Sequence, residues 1–172
     1  MKIYYYILVL LILSFDIYAQ NKCNCDAMIN WKFNKQVYVF DKPNGIVIDS
    51  IANDSINEDY LVINITETNE NYFKVALQLS IADKKKIGWI KKGNHIGTYA
   101  RIYQDGTKLL LYSSPNKTSK VENIVNQWIQ DLYVIEDCDG NWVKVRLTYK
   151  NKTYTGWLEK DMQCANPYTT CC

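Results

Sequence analysis

The feature that most constrains this chain is an internal repetition. Val37-Tyr38-Val39-Phe40-Asp41-Lys42-Pro43-Asn44 is answered by Leu109-Leu110-Leu111-Tyr112-Ser113-Ser114-Pro115-Asn116, and Asn71-Tyr72-Phe73-Lys74-Val75 by Asn141-Trp142-Val143-Lys144-Val145. A third pair, Gly88-Trp89-Ile90 and Gly156-Trp157-Leu158, closes each unit. The order is kept and the period is about 70 residues, so a small unit occurs twice. A unit of that size, built from short strands and turns, leaves little room for an enclosed active site and much surface for binding.

Residues 1–19 are set apart as a signal peptide. Lys2, the apolar run Ile3 to Phe15 and then Ile17, Tyr18 and Ala19 have the layout of a secretory leader. The run is short of the roughly 20 apolar residues a membrane span needs, and Asp16 interrupts it. Gln20, Asn21 and Lys22 before Cys23 lack the small apolar residues of a lipoprotein signal. The expectation is an exported protein, periplasmic or secreted, with no membrane span after cleavage.

Six cysteines in an exported chain, Cys23, Cys25, Cys138, Cys164, Cys171 and Cys172, point to disulfides. Six allow 15 pairings; the expected set joins Cys138 to Cys164, and Cys23 or Cys25 to Cys171 or Cys172. Neither terminal pair has the two-residue spacer usual in zinc sites, so no metal is expected, nor any cofactor. The net charge is only +2 with lysines spread along the chain, which is no footprint of a nucleic-acid binder. Lys84, Lys85 and Lys86 read as a solvated hairpin tip.

Phe73, Val75, Leu77 and Leu79 alternate with polar or small residues, as do Val143, Val145 and Leu147, and period two means half-buried strands. Ile46-Val47-Ile48 and Leu61 to Ile65 are short and β-branched, and Pro43-Asn44-Gly45 and Asp139-Gly140-Asn141 supply turns. Ser119 to Gln130 has a helical spacing of Val121, Ile124, Val125 and Trp128, yet the repeat places it on a strand and loop. The fold class is therefore all-β. Each unit holds about five strands in about 55 residues, a size that buries only about 60% of its unfolded surface. Mutual packing and disulfide-tied ends are expected to supply the rest. His95, Ile96, Tyr99, Ile102 and Tyr103 make the connecting segment too apolar for a free tether.

An apolar strand with a Pro turn, a central aromatic-x-Lys-Val strand and a closing Gly-Trp-aliphatic strand resemble the bacterial SH3 domain, twice. The resemblance spans 36–92 and 108–163; the first copy departs from it at Tyr72, where the second has Trp142, and in its longer three-lysine hairpin. It implies two small SH3-like β-barrels in tandem, usually non-catalytic modules that bind cell-wall peptide or protein outside the cytoplasm. The flanking parts are then a Cys-containing N-terminal segment 20–35, a packed linker 93–107 and a Cys-rich tail 164–172.

One histidine, His95, is weak ground for nucleophilic or acid–base chemistry. Glu58, Asp59, Glu136, Asp137 and Asp139 sit beside turns, where carboxylates are ordinarily solvated, so no catalytic residue is assigned. Strand alternation places Trp142 with Lys144, and Tyr72 with Lys74, on the face away from the apolar rows. These rings either cover a barrel end or the contact between repeats, or form a shallow peptide groove with Tyr38 and Tyr112 beside them. Trp89 and Trp157 are assigned to the core, each preceded by a glycine that lets the backbone pack closely. The expected function is a non-catalytic binding module for peptidoglycan stem peptide or an envelope protein. The alternative is an inhibitor or immunity-type partner of an exported hydrolase.

Overall fold

The computed structural model describes residues 21–82, 84–101 and 108–168. Residues 1–19, expected to be a signal peptide, and Cys171 and Cys172 lie outside the described residues. The chain is all-β, with strands β1 (Asn21–Ile29), β2 (Val37–Phe40), β3 (Val47–Ile51), β4 (Leu61–Thr68), β5 (Tyr72–Leu79) and β6 (Lys85–Lys91) in its first half. The second half holds β7 (Ile96–Ala100), β8 (Leu109–Tyr112), β9 (Val121–Val125), β10 (Tyr133–Asp139), β11 (Trp142–Tyr149) and β12 (Lys152–Leu158). A 3-10 turn at Lys160–Met162 then leads into the two-residue β13 (Gln163–Cys164). The segment with helical spacing folds as β9 followed by a loop, as the repeat requires.

The strands form one sheet in the order β3-β2-β6-β5-β4-β1-β7-β10-β11-β12-β8-β9, with β13 added to β7. Read inward from either end, the order is the same six-strand series, so the duplicated unit includes β1 and β7. Register confirms the equivalence. Phe73 pairs with Ile90 and Val75 with Gly88 in the first half, as Val143 pairs with Leu158 and Val145 with Gly156 in the second. A β-bulge falls between Ile65 and Glu67 opposite Val75 and Lys74, and again between Ile135 and Asp137 opposite Val145 and Lys144. Bulges are placed features of a fold, and finding one at the matching position of both halves marks the duplication more firmly than residue identity does. Phe73 and Val143, at equivalent positions, are both fully buried.

In each half the first hairpin returns to the last strand, through Phe40 opposite Trp89 and Tyr112 opposite Trp157. The pairing nevertheless runs through as one sheet that does not close, with β3 and β9 at its two ends. β1 and β7 meet antiparallel at Met28–Gly97 and Ile29–Ile96. One apolar cluster spans both halves across this joint, from Phe73, Val75 and Leu77 through Ala27, Ile29 and Ile96 to Val143, Val145 and Leu147. β13 stands on β7 as β7 stands on β1. Gln163 and Cys164 pair with Ala100 and Tyr99, and the Arg101 N–H donates to Met162 O at 2.9 Å as the Asn30 N–H donates to His95 O at 2.8 Å.

The disulfides differ from the expected set. Cys23 is bonded to Cys138, with Cα atoms 5.9 Å apart and 115 residues between them. Cys164 is disulfide-bonded as well, so the expected Cys138–Cys164 bridge does not form. Cys25 is a buried free thiol, not a bridging residue. The cause is the path of β1, which runs from its own half to the β10–β11 turn. There the Asn24 N–H donates to Gly140 O at 2.7 Å and the Gly140 N–H to Lys22 O at 3.0 Å, which brings the Cys23 and Cys138 side chains together. Cys25 Sγ contacts Gly140 O and Trp142 O, both at 3.4 Å, and burial pushes its thiol up to about 12.

Two outcomes follow from this architecture. Replacing Cys23 and Cys138 together by alanine is expected to cost about 2–4 kcal/mol of unfolding free energy in urea, because the bridge closes a long loop of the unfolded chain. Gly156 has φ +141°, and a Cβ there would lie 2.9 Å from Leu111 Cβ and 3.0 Å from Tyr112 O. Gly156→Ala is expected to lose about 1–3 kcal/mol in the same assay through that crowding. Gly140→Ala, at φ +54° with nothing near its Cβ, should lose only the roughly 1 kcal/mol of left-handed backbone strain.

Candidate functional site

The strand-face residues singled out from the sequence form two equivalent ring pairs, one in each half. Phe40 packs edge-on to Tyr72 with centroids 5.6 Å apart, and Tyr112 packs edge-on to Trp142, also at 5.6 Å. The expectation of outward rings is corrected for Tyr72 and Tyr112, which are 7% and 8% exposed. The strand before the Pro turn supplies one ring of each pair, Phe40 over Tyr72 and Tyr112 over Trp142, so edge-to-face packing takes up ring surface expected to face outward. Trp142 is half-buried, Tyr38 stands exposed on β2, and Lys74 is held at 2.7 Å by Glu67. Lys144 faces a polar hollow with Glu136 and Asp137. Trp89 is buried as expected, whereas Trp157 is only half-buried.

A different aromatic cluster lies where the halves join. Trp31, Tyr99, Trp128 and Tyr168 line a hollow of about 300 Å³, with Asn30, Lys32, Gln130 and Asp131 at its margin. Each ring comes from a different segment. Trp31 follows β1 in a turn closed by the Phe33 N–H donating to Asn30 O at 2.8 Å and the Lys32 N–H donating to Asn30 Oδ1 at 2.9 Å. Tyr99 lies on β7, Trp128 in the loop after β9, and Tyr168 in the segment after β13.

The polar atoms of these rings are engaged within the protein, which leaves ring surface for the hollow. Trp128 Nε1 donates to Ala100 O at 3.3 Å, and the Tyr168 hydroxyl accepts the Tyr60 N–H at 3.4 Å. Burial pushes the Tyr99 phenol above its ordinary range, opposed by a side-chain hydrogen bond with Trp31. Trp31 and Tyr168 remain 46% and 48% exposed, so a ligand can reach them. Lys32 Nζ stands 5.0 Å from the Trp31 ring centre, and Asp131 is exposed, so the rim offers one charge of each sign. Sequence reading missed this site because its members are scattered over more than half the chain with no common spacing; the surplus of tryptophan and tyrosine was the only signal.

Other concave regions offer less. A trough of about 600 Å³ over β1, β4 and β5 is bordered by Asp26, Lys85, Arg101, Lys160 and Asp161, with no aromatic ring among its lining residues. The polar hollow beside Lys144 is spent on holding the halves together. Asp137 Oδ1 accepts the Thr68 hydroxyl at 2.9 Å and Lys92 Nζ donates to Glu136 O at 2.8 Å, both between the halves, while Arg146 Nε donates to Glu136 Oε1 at 2.6 Å within the second half. Among the described residues no group of three His, Cys, Asp or Glu side chains is placed to hold a metal ion, and no helix is long and apolar enough to cross a membrane.

His95 stacks on Phe33 with ring centres 4.2 Å apart, and burial lowers its pKa from the ordinary 6.5. The fold therefore favours the neutral ring. The stability it contributes is complete above pH 6.5 and is lost as pH falls from there through the lowered folded value. Urea midpoints measured between pH 7.5 and 5.5 are expected to fall in the native protein and to fall less in His95→Phe, which keeps the stacked ring; carboxylates titrate mostly below this window.

No protein-family model matches the chain, and no curated protein matches it.

Proposed function

We propose that the protein is an exported, non-catalytic binding module that recognises cell-wall stem peptide or an envelope protein, with the hollow between its halves as the binding site. The four rings at that hollow carry the reading. Tyrosine and tryptophan are the residues most often found anchoring interfaces, because each offers a large rigid surface at low entropic cost. The paired charges of Lys32 and Asp131 suit a peptide bearing both carboxylate and ammonium groups, as a wall stem peptide does. The Cys23–Cys138 bridge fits an oxidising compartment. Within each half, the return of the first strand to the last supports the resemblance of 36–92 and 108–163 to bacterial SH3 barrels. Strands β1 and β7 extend that unit and join the two copies.

The test is capture of the purified protein on cell-wall sacculi and, separately, capture of partners from a periplasmic extract. Trp31→Ala and Trp128→Ala are each expected to weaken capture by at least about tenfold, the scale of a lost aromatic anchor. Melting temperature is read alongside, and Trp31→Ala should leave it nearly unchanged because that ring is exposed. Loss of capture in Trp142→Ala but not in Trp31→Ala would move the site to the strand face. Full capture by every variant would remove the aromatic surfaces from the account.

A further inference from the structure

The ring hollow and the charged trough are neighbours, because two segments of the chain line both. Tyr99 and Ala100 border the ring hollow, and Arg101, the next residue, borders the trough. Ala100 is buried in the core, so Tyr99 and Arg101, two positions apart in extended backbone, face the same way. Asn166 lines both hollows, with Gln163 and Cys164 on the trough side of it and Pro167 and Tyr168 on the ring side.

The trough supplies a chemistry that the rings lack. Lys85, Arg101 and Lys160 are exposed at its border, and among the described residues none of the three is in a salt bridge. Its two acids are partly engaged. Asp26 Oδ1 accepts the Asn64 amide at 3.2 Å, and the Lys117 pKa is raised first by its bond to Glu159 and further by Asp161. Ala76, also lining the trough, matches Arg146 by register, and in the second half that arginine is bonded to Glu136 and Asn94. Where the second half has a cation spent on its own carboxylate, the first half has a small side chain and free cations around it. One exposed lysine is ordinarily only solvated; three unpaired cations around a concavity continuous with four rings form a complementary surface for an anionic ligand.

We propose that the trough is the second subsite of the ring hollow, and that the ligand is an extended peptide whose carboxylates lie against Arg101 and Lys160 while another part of it rests on the rings. This rests on the ring hollow as the binding site. The strand sets the spacing: Tyr99 and Arg101 stand about 7 Å apart, the length of two residues of an extended chain. The acidic stretch therefore begins two positions from the residue held at the rings. Of the partners named above, those with such a stretch are selected.

Fluorescence anisotropy with two dye-labelled synthetic peptides tests this: one tyrosine, one alanine and three glutamates in that order, and the same peptide with glutamines for glutamates. The native protein is expected to bind the glutamate peptide at least about threefold more tightly, and added salt should remove the difference. Arg101→Gln with Lys160→Gln is expected to weaken the glutamate peptide by about three- to tenfold, the scale of two exposed charge contacts, and to leave the glutamine peptide unchanged. Arg101→Lys keeps the charge and should keep most of the preference, and unchanged melting shows that the variants fold. Trp31→Ala should weaken both peptides alike, which separates the two readings: full binding by that variant removes the ring hollow, whereas a preference that the double variant retains removes the trough. A native protein that binds both peptides equally, or neither, also overturns the proposal.

Discussion

The antiparallel joint of β1 and β7 is the contact on which the rest of the molecule depends. Each half carries a marginal amount of core for its length, and the joint merges the two cores into one cluster. It tolerates little variation. Gly97 lies between β1 on one side and β10 on the other, and a Cβ there would come within 2.6 Å of Leu132 Cγ. Around the joint the fixings are of different kinds: a disulfide from Cys23 to Cys138, backbone hydrogen bonds from Asn24 to Gly140 and from Gly140 to Lys22, and the Thr68–Asp137–Lys92 cluster. Burial lowers the Lys92 pKa, and Asp137, a partner from the other half, opposes the shift.

What could be read from the sequence follows from which strands alternate. β5 and β11 have one buried and one wetter face, and their period-two pattern located them, while β4 was read from its short β-branched run. The three recurring motifs also located the equivalent registers, down to Phe73 and Val143. β7 and the end of β1 escaped because they have little wet face to show. Ala27, Met28 and Ile29 are buried in succession, as are Ile96, Gly97 and Thr98, and a strand enclosed on both sides loses its alternation. Their mates in the sheet are distant in sequence, and the cysteine pairing depended on them. With 20–35 read as a Cys-containing N-terminal segment tied to the chain's other end, nothing pointed Cys23 toward Cys138. The ring hollow escaped for the same reason, since it exists only after β1 and β7 have met.

A joint of this kind has a further property. β13 occupies on β7 the register that β7 occupies on β1, so the second half ends by placing the first two residues of a third unit's opening strand. The arrangement is that of a linear array, in which each unit contributes a first strand to its predecessor. Arrays of this sort are stabilised by nearest-neighbour interfaces and need their last exposed edge covered. β13 covers part of the β7 edge with two residues, and its Cys164 is disulfide-bonded.

Duplication also separates what the fold requires from what it merely permits. Gly88 and Gly156, Trp89 and Trp157, and the paired bulges are kept in both halves because the backbone path demands them. Where equivalent residues diverge, the fold has released them to other uses. Thr68 and Cys138 occupy matching positions; one donates a hydroxyl to Asp137 and the other forms the bridge to Cys23, so the pair has become two halves of a single fixing between units. Met28 and Tyr99 also match, one sealed in the core and the other lining the ring hollow. The hollow is thus built where the second unit's first strand departs from the first's, and a repeat with identical copies would not have it.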